Sequence, residues 1–159
     1  MNWDIKEIHN YNEYMQKYSI HSLLAKIFAQ RKYNEQDIQG HTSKRLIYHD
    51  FSLFLDADLV LDRIQEALEN DEKICIYGDY DCDGILSTAI LVQAFLELGK
   101  KVGYHIPNRF EDGYGLNKER VQQMYEKGYS LLITVDNGIK AYEAIDLANE
   151  LGIDVIVID

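Results

Sequence analysis

From Lys73 onward, the chain alternates between short apolar runs and longer amphipathic stretches. The apolar runs are KICIYG (73–78), KVGYHI (101–106), LLITV (131–135) and DVIVI (154–158), each of strand length and nearly continuous in hydrophobicity. Helical patterns fill the gaps at 84–98, 117–127 and 139–151. Strands of this kind alternating with helices predict an α/β fold, a parallel sheet with helices on both faces. The 84–98 stretch is apolar almost all round, which predicts a helix buried deep against that sheet. Earlier in the chain the pattern changes. SLLAKIFAQ (22–30) and DLVLDRIQEAL (58–68) read as amphipathic helices, the second with Leu61, Ile64 and Leu68 on one face. Tyr11, Tyr14 and Tyr18 recur at helical spacing and are expected to pack. Residues 1–70 therefore form a small helical N-terminal region, and 71–159 the first part of the α/β domain. The last strand is expected to be central and buried, yet it runs straight into Asp159, so the chain reads as truncated.

Composition narrows the class. The 159 residues suffice for a sizeable core, and 47% hydrophobic with 27% charged residues is ordinary for a soluble globular protein. Neither a signal core nor a membrane-length apolar run is present, and the two cysteines, Cys75 and Cys82, suit a reducing cytoplasm. The net charge of −11 argues against a simple basic nucleic-acid-binding module. It leaves room for an enzyme whose acidic site is filled by metal, because two divalent cations would cancel four of those charges.

The candidate chemistry lies in ICIYGDYDCDGIL, residues 74–86. Asp79, Asp81 and Asp83 repel one another unless a positive charge sits between them. A calcium loop fails, since its twelfth position is Ile90 and a strand precedes the loop. A phosphatase of the D-x-D type is a weak alternative, because Gly78 separates strand from acid and Asp83 stands where Thr or Val is usual. A helix N-cap explains one carboxylate and leaves two. Two further acids follow strands: Asp136, before the Asn137–Gly138 turn, and Asp159. In a parallel sheet all of these meet at the carboxyl edge, where α/β proteins bind ligands. Carboxylates from separate strands suit Mn²⁺ or Mg²⁺ and phosphoryl transfer.

YGDYDCDG, IPNRFEDGYGLN, ITVDNGI and VIVID together resemble the first motifs of the DHH phosphoesterases, in the RecJ branch of single-strand-specific 5′ exonucleases. The resemblance implies an N-terminal catalytic portion that uses two ions, Mn²⁺ or Mg²⁺, in the intact enzyme to hydrolyse single-stranded DNA in recombination and repair. It implies Asp81 and Asp83 as direct metal ligands and Asp136 as the acid that bridges or completes the pair. Asp79 would ligate or orient, and Asp159 would steer the histidine of an Asp-His-His motif that begins there. Tyr77 stands where other DHH branches carry histidine. On the substrate side, Arg109 can grip a phosphate and Tyr114 can stack on a base, with Gly113 and Asn137 shaping the adjoining turns. The alternative for Arg109 is a solvated loop with Glu111 or Asp112 as its partner. Ser87 and Thr88 open the helix after the aspartates, either meeting a phosphate or serving as ordinary first-turn residues. Rival functions are a DHH phosphodiesterase acting on short oligonucleotides or cyclic dinucleotides, and a non-catalytic RecJ-like scaffold. The 159-residue fragment is expected to bind Mn²⁺ weakly and to lack nuclease activity, with one of its facing acids titrating high. Protein partners are not legible, and no membrane association is expected.

Overall fold

The computed structural model describes residues 7–8, 10–43, 48–108 and 115–159. Seven α-helices and four strands are described: α1 (Tyr11–Tyr18), α2 (Ser22–Arg31), α3 (Glu35–Thr42), α4 (Ala57–Glu69), β1 (Ile74–Tyr77), α5 (Cys82–Glu97), β2 (Gly103–His105), α6 (Lys118–Glu126), β3 (Leu131–Val135), α7 (Tyr142–Glu150) and β4 (Asp154–Ile158). They fall into two compact units, Met1–Asp50 and Phe51–Asp159.

The first unit is three helices around buried Ala25, Phe28 and Ile38. Phe28 packs against Tyr33 and His41. Asn34 and Asp37 form a reciprocal capping box that starts α3. Within the tyrosine stripe, Tyr14 meets Tyr18 and donates its hydroxyl to the Tyr33 carbonyl at 3.2 Å. Those two tyrosines pack.

The second unit is the expected α/β architecture. Its sheet runs β2-β1-β3-β4 with every pair parallel. One face buries Cys75, Tyr77 and Leu132 under Val121 and Met124 of α6 and Ala144 and Ala148 of α7. The other buries Ile74, Ile76, Ile133 and Val135 under Ala67 of α4 and Phe95 of α5. Burial raises the Cys75 thiol pKa to about 12, so it behaves as an inert apolar group.

Two expectations need correcting. Helix α4, grouped by its sequence with the N-terminal region, packs on the sheet through Val60, Ile64, Ala67 and Leu68, and Leu61 is half-exposed. Helix α5 is not buried all round. It turns Gly84, Thr88 and Phe95 inward and leaves Leu86 61% and Ile90 67% exposed. Hydrophobic periodicity cannot say what covers a helix's second face. Strand β4 pairs with β3 and stands last in the order among the described residues, with Val157 and Ile158 partly exposed. Among those residues no helix is long and apolar enough to cross a membrane.

Polar ties hold α4 to the base of the sheet. Arg63 donates to Glu72 at 2.7 Å and to Asp154 at 2.6 Å, and Ser130 donates to Glu72 at 2.6 Å. The Arg63 guanidinium, and then the Ser130 hydroxyl, hold the Glu72 carboxyl below its ordinary value of 4.5. A folded-state pKa below the unfolded one stabilises above the unfolded value and is lost as pH falls through the folded one. Glu72→Gln should thus cost about 1 kcal/mol at neutral pH, and the deficit should shrink as pH drops below 4.5. Urea unfolding of both proteins across that range checks it; a pH-independent deficit would refute the assignment.

Candidate metal centre

The loop from β1 to α5 is built by two glycines. A Cβ at Gly78 would sit 2.1 Å from the Thr88 hydroxyl. One at Gly84 would sit 2.5–2.7 Å from the backbone N, O and C of Asp79. The start of α5 therefore rests directly on the Asp79 peptide, which only a residue without a side chain allows. Asp81 is the N-cap of α5, and its Oδ1 accepts from the Asp83 and Gly84 amides at 3.0 and 3.1 Å. The helix-cap reading thus holds for one aspartate of the three. Ser87 and Thr88 donate their hydroxyls back to the Asp83 and Gly84 carbonyls, so both are structural residues, placed in the second turn because α5 starts at Cys82.

The turn after β3 brings the second element. Asp136 has φ of 59°, a left-handed conformation uncommon for a non-glycine residue, and its amide donates to the Ile158 carbonyl of β4 at 2.9 Å. Asn137 is 2% exposed, and its Nδ2 donates to the Tyr77 carbonyl at 3.3 Å and the Val135 carbonyl at 2.9 Å. That one amide ties the ends of β1 and β3 together and so sets their two acidic turns side by side. Asp159 closes the arrangement from β4, its Oδ2 accepting from the Ile139 amide at 3.0 Å.

The result is a trio. One carboxylate oxygen from each of Asp79, Asp81 and Asp136 lies within 4.8 Å of the others. Asp79 is 3% exposed, and its Oδ1 accepts from the Tyr80 amide at 2.8 Å. Partial desolvation, then the charge and hydrogen bond of Asp81 and the charges of Asp83 and Asp79, push the Asp136 carboxyl above its ordinary range. The expectation of one high-titrating acid is met at Asp136. An all-oxygen donor set carrying this much like charge suits a hard divalent cation.

Residues 73–159 match the family described as DHH family, N-terminal domain. The chain belongs to the DHH family. Among curated DHH relatives, the single-stranded-DNA-specific exonuclease RecJ of Bacillus subtilis is 47% identical over 62% of this chain and 12% of its own length. The enzyme of the same name from Dickeya dadantii is 39% identical over 89% of this chain and 24% of its own. A solved structure of RecJ in complex with Mn²⁺, from Thermus thermophilus, is 26% identical with a TM-score of 0.59, covering 98% of this chain and 21% of that one. The chain thus spans about a quarter or less of the length of these relatives.

Within the DHH domain, the acids read from the sequence divide. Asp81 and Asp136 meet as expected, and Asp79 joins them as the most buried acid of the trio. Asp83 lies exposed in the first turn of α5, outside the trio, and acts on Asp136 through its charge. Asp159 braces the turn that follows Asp136. Asn137, expected on the substrate side, is buried between strand ends and braces them instead. Arg109, Gly113 and Tyr114 lie outside the described residues. The sequence reading missed the bracing roles of Asn137 and Tyr77. The Tyr77 phenol is fully buried, has its pKa raised to about 12 by desolvation, and donates to the Gly115 carbonyl at 3.2 Å. Its signal was a polar tip at the end of an otherwise apolar run.

Proposed function

We propose that this chain is the N-terminal catalytic portion of a metal-dependent exonuclease that hydrolyses single-stranded DNA from the 5′ end, in recombination and repair. The observation that carries this is the convergence of Asp79, Asp81 and Asp136 at the carboxyl edge of the sheet, in a DHH chain whose relatives are named single-stranded-DNA-specific exonucleases. The 5′ polarity and the repair role rest on the motif resemblance. Two free cysteines and a DNA substrate suit the cytoplasm.

The donor set fits Mn²⁺ or Mg²⁺. Asp79, Asp81 and Asp136 would hold the ions, with Asp83 and Asp159 on the adjoining turns. A bound pair supplies an activated water and charge neutralisation at the phosphorus. The protein's own contribution is placement. Asp81 is fixed through one oxygen by two backbone amides and keeps the other to offer. Asp79 is anchored by the Tyr80 amide and by the packing of Gly84 on its backbone. Asp136 is aimed by its left-handed backbone, and its carboxyl, raised above the ordinary range by desolvation and neighbouring acids, would be drawn back toward the ionised form by a bound cation.

Mn²⁺ should therefore raise the thermal midpoint of the native chain. Saturation at about 100 times Kd corresponds to ~2.7 kcal/mol and a shift of roughly 5–10 °C. In the intact enzyme, Mn²⁺-dependent release of nucleotides from a labelled single strand, with duplex spared, is the expected activity. Equal degradation of duplex would overturn the substrate assignment, and a midpoint indifferent to Mn²⁺ would overturn the metal assignment.

Arg109 provides a separate check of the substrate side. Arg109→Ala should weaken binding to 5′-phosphorylated strands and leave the Mn²⁺-induced shift in place. Equal kinetics on 5′-phosphorylated and 5′-hydroxyl strands would assign Arg109 to a solvated loop.

A further inference from the structure

Among the described residues, the cations of the α/β unit divide between the two edges of the sheet. Lys73, Lys100, Lys101 and Lys127 lie at the amino edge, before strands or at a helix end. Arg63 is tied to Glu72 and Asp154, also at that edge. In a parallel sheet the helices run back, so their first residues stand over the carboxyl edge. Lys118 and Arg120, at the start of α6, and Lys140, just before α7, belong to that edge, which also carries the acidic trio. Arg120 engages Gln123 at 2.6 Å within its own helix. Lys118 and Lys140 share a groove of about 390 Å³ between the starts of the two helices, with Leu116 and Tyr142 among its walls. Among the described residues Lys140 makes no ion pair, and Lys118 pairs only across the mouth with Glu143, at 3.0 Å and largely solvated. Such an exposed pair is worth little and yields readily to a stronger anion. Tyr142 is 69% exposed on the same groove.

Two lysines and an exposed aromatic ring lining one groove form a surface for a nucleic-acid strand: phosphates pair with the cations, and a base or sugar lies on the ring. On a chain of net charge −11 it is also a place where a polyanion meets local positive charge beside the acidic edge. We infer that the α6–α7 groove binds the phosphodiester backbone of the single-stranded DNA substrate, with Lys118 and Lys140 each contacting a phosphate and Tyr142 stacking. The inference rests on the exonuclease reading and adds to it a track for the strand away from the scissile bond. Ala141 follows Asp136 closely in the chain, and its amide donates to the Gly138 carbonyl at 2.9 Å, so the acidic turn and the groove wall are one short rigid connection.

The test is the salt dependence of affinity for a short labelled oligodeoxythymidylate, with Mg²⁺ present, in the intact enzyme. Each phosphate contact on a single strand contributes about 0.7 to the slope of log K against log salt. Lys118→Gln with Lys140→Gln should therefore bind more weakly and flatten that slope by about 1.4. Tyr142→Ala should weaken binding and leave the slope unchanged. An unaltered thermal midpoint and Mn²⁺-induced shift in the double variant show that the fold and the metal centre are intact. If the native enzyme binds the strand and the double variant keeps its slope, the groove assignment is overturned while the exonuclease reading stands. If the native enzyme binds no single strand, both fall together.

Discussion

In the intact enzyme proposed above, Asp136→Asn and Asp81→Ala should each lower Mn²⁺ affinity and nuclease activity by more than the roughly 10–100-fold typical of losing a group behind the ligands. Both residues supply a carboxylate oxygen to the trio, and no described neighbour outside the acidic cluster replaces either. The Asp136 variant should show a second, opposite effect. Its carboxyl is held above the ordinary value of 3.8 by desolvation and by the charges of Asp81, Asp83 and Asp79. A carboxyl whose pKa is higher folded than unfolded favours the folded state least once both forms are ionised, so this penalty grows as pH rises through the window above 3.8. Removing the charge should stabilise the metal-free protein at neutral pH and abolish further stabilisation by Mn²⁺. A gain in stability with loss of function is the expected behaviour of a site built from repelling charges. Asp83→Ala should cost less than either, because Asp83 stands outside the trio. Calorimetry of Mn²⁺ binding and thermal scans with and without metal measure all three. Equal losses at Asp83 and Asp136 would restore Asp83 to the set of direct ligands.

Gly84→Ala should be damaging without touching any charge. Its methyl group would sit 2.5–2.7 Å from three backbone atoms of Asp79, and a backbone cannot rotate away as a flexible side chain can. Helix α5 must lift, and the lift acts directly on both Asp79 and the amides that Asp81 caps. Forced overpacking of this kind costs roughly 1–3 kcal/mol, or about 2–12 °C in a chain of this size. The variant should also lose Mn²⁺-dependent stabilisation although all its acids remain. A similar methyl at Gly99, a helix-end position with φ of +80° and open space around it, would report on backbone conformation alone. Gly99→Ala should lower stability while preserving the Mn²⁺ response. If Gly84→Ala responded to Mn²⁺ like the native chain, the close approach of α5 to Asp79 would not be what positions the site.

The local pattern of the chain determined a good deal unaided. Runs such as ICIY and LLITV bury both faces and pair in parallel, because side chains alternating across a strand must both be apolar when helices cover both sides. The aspartates at the ends of these runs had to meet at the carboxyl edge once the strands were parallel, which is why Asp81 and Asp136 were legible as partners. What the sequence could not convey is decided over distance. The order β2-β1-β3-β4 makes β1 and β3 neighbours, and the Asn137 amide, 60 positions from Tyr77, locks their ends. Asp79 and Asp83 look alike in a D-x-D-x-D string. Only the onset of α5 at Cys82 separates them, since it carries Asp83 onto an exposed first turn while Gly84 packs on the backbone of Asp79. Likewise α4 carries an amphipathic stripe that any apolar surface could cover, and Arg63 meeting Glu72 and Asp154 is what assigns it to this sheet. Periodicity encodes which face of an element is apolar; which other element covers that face is set by tertiary packing alone.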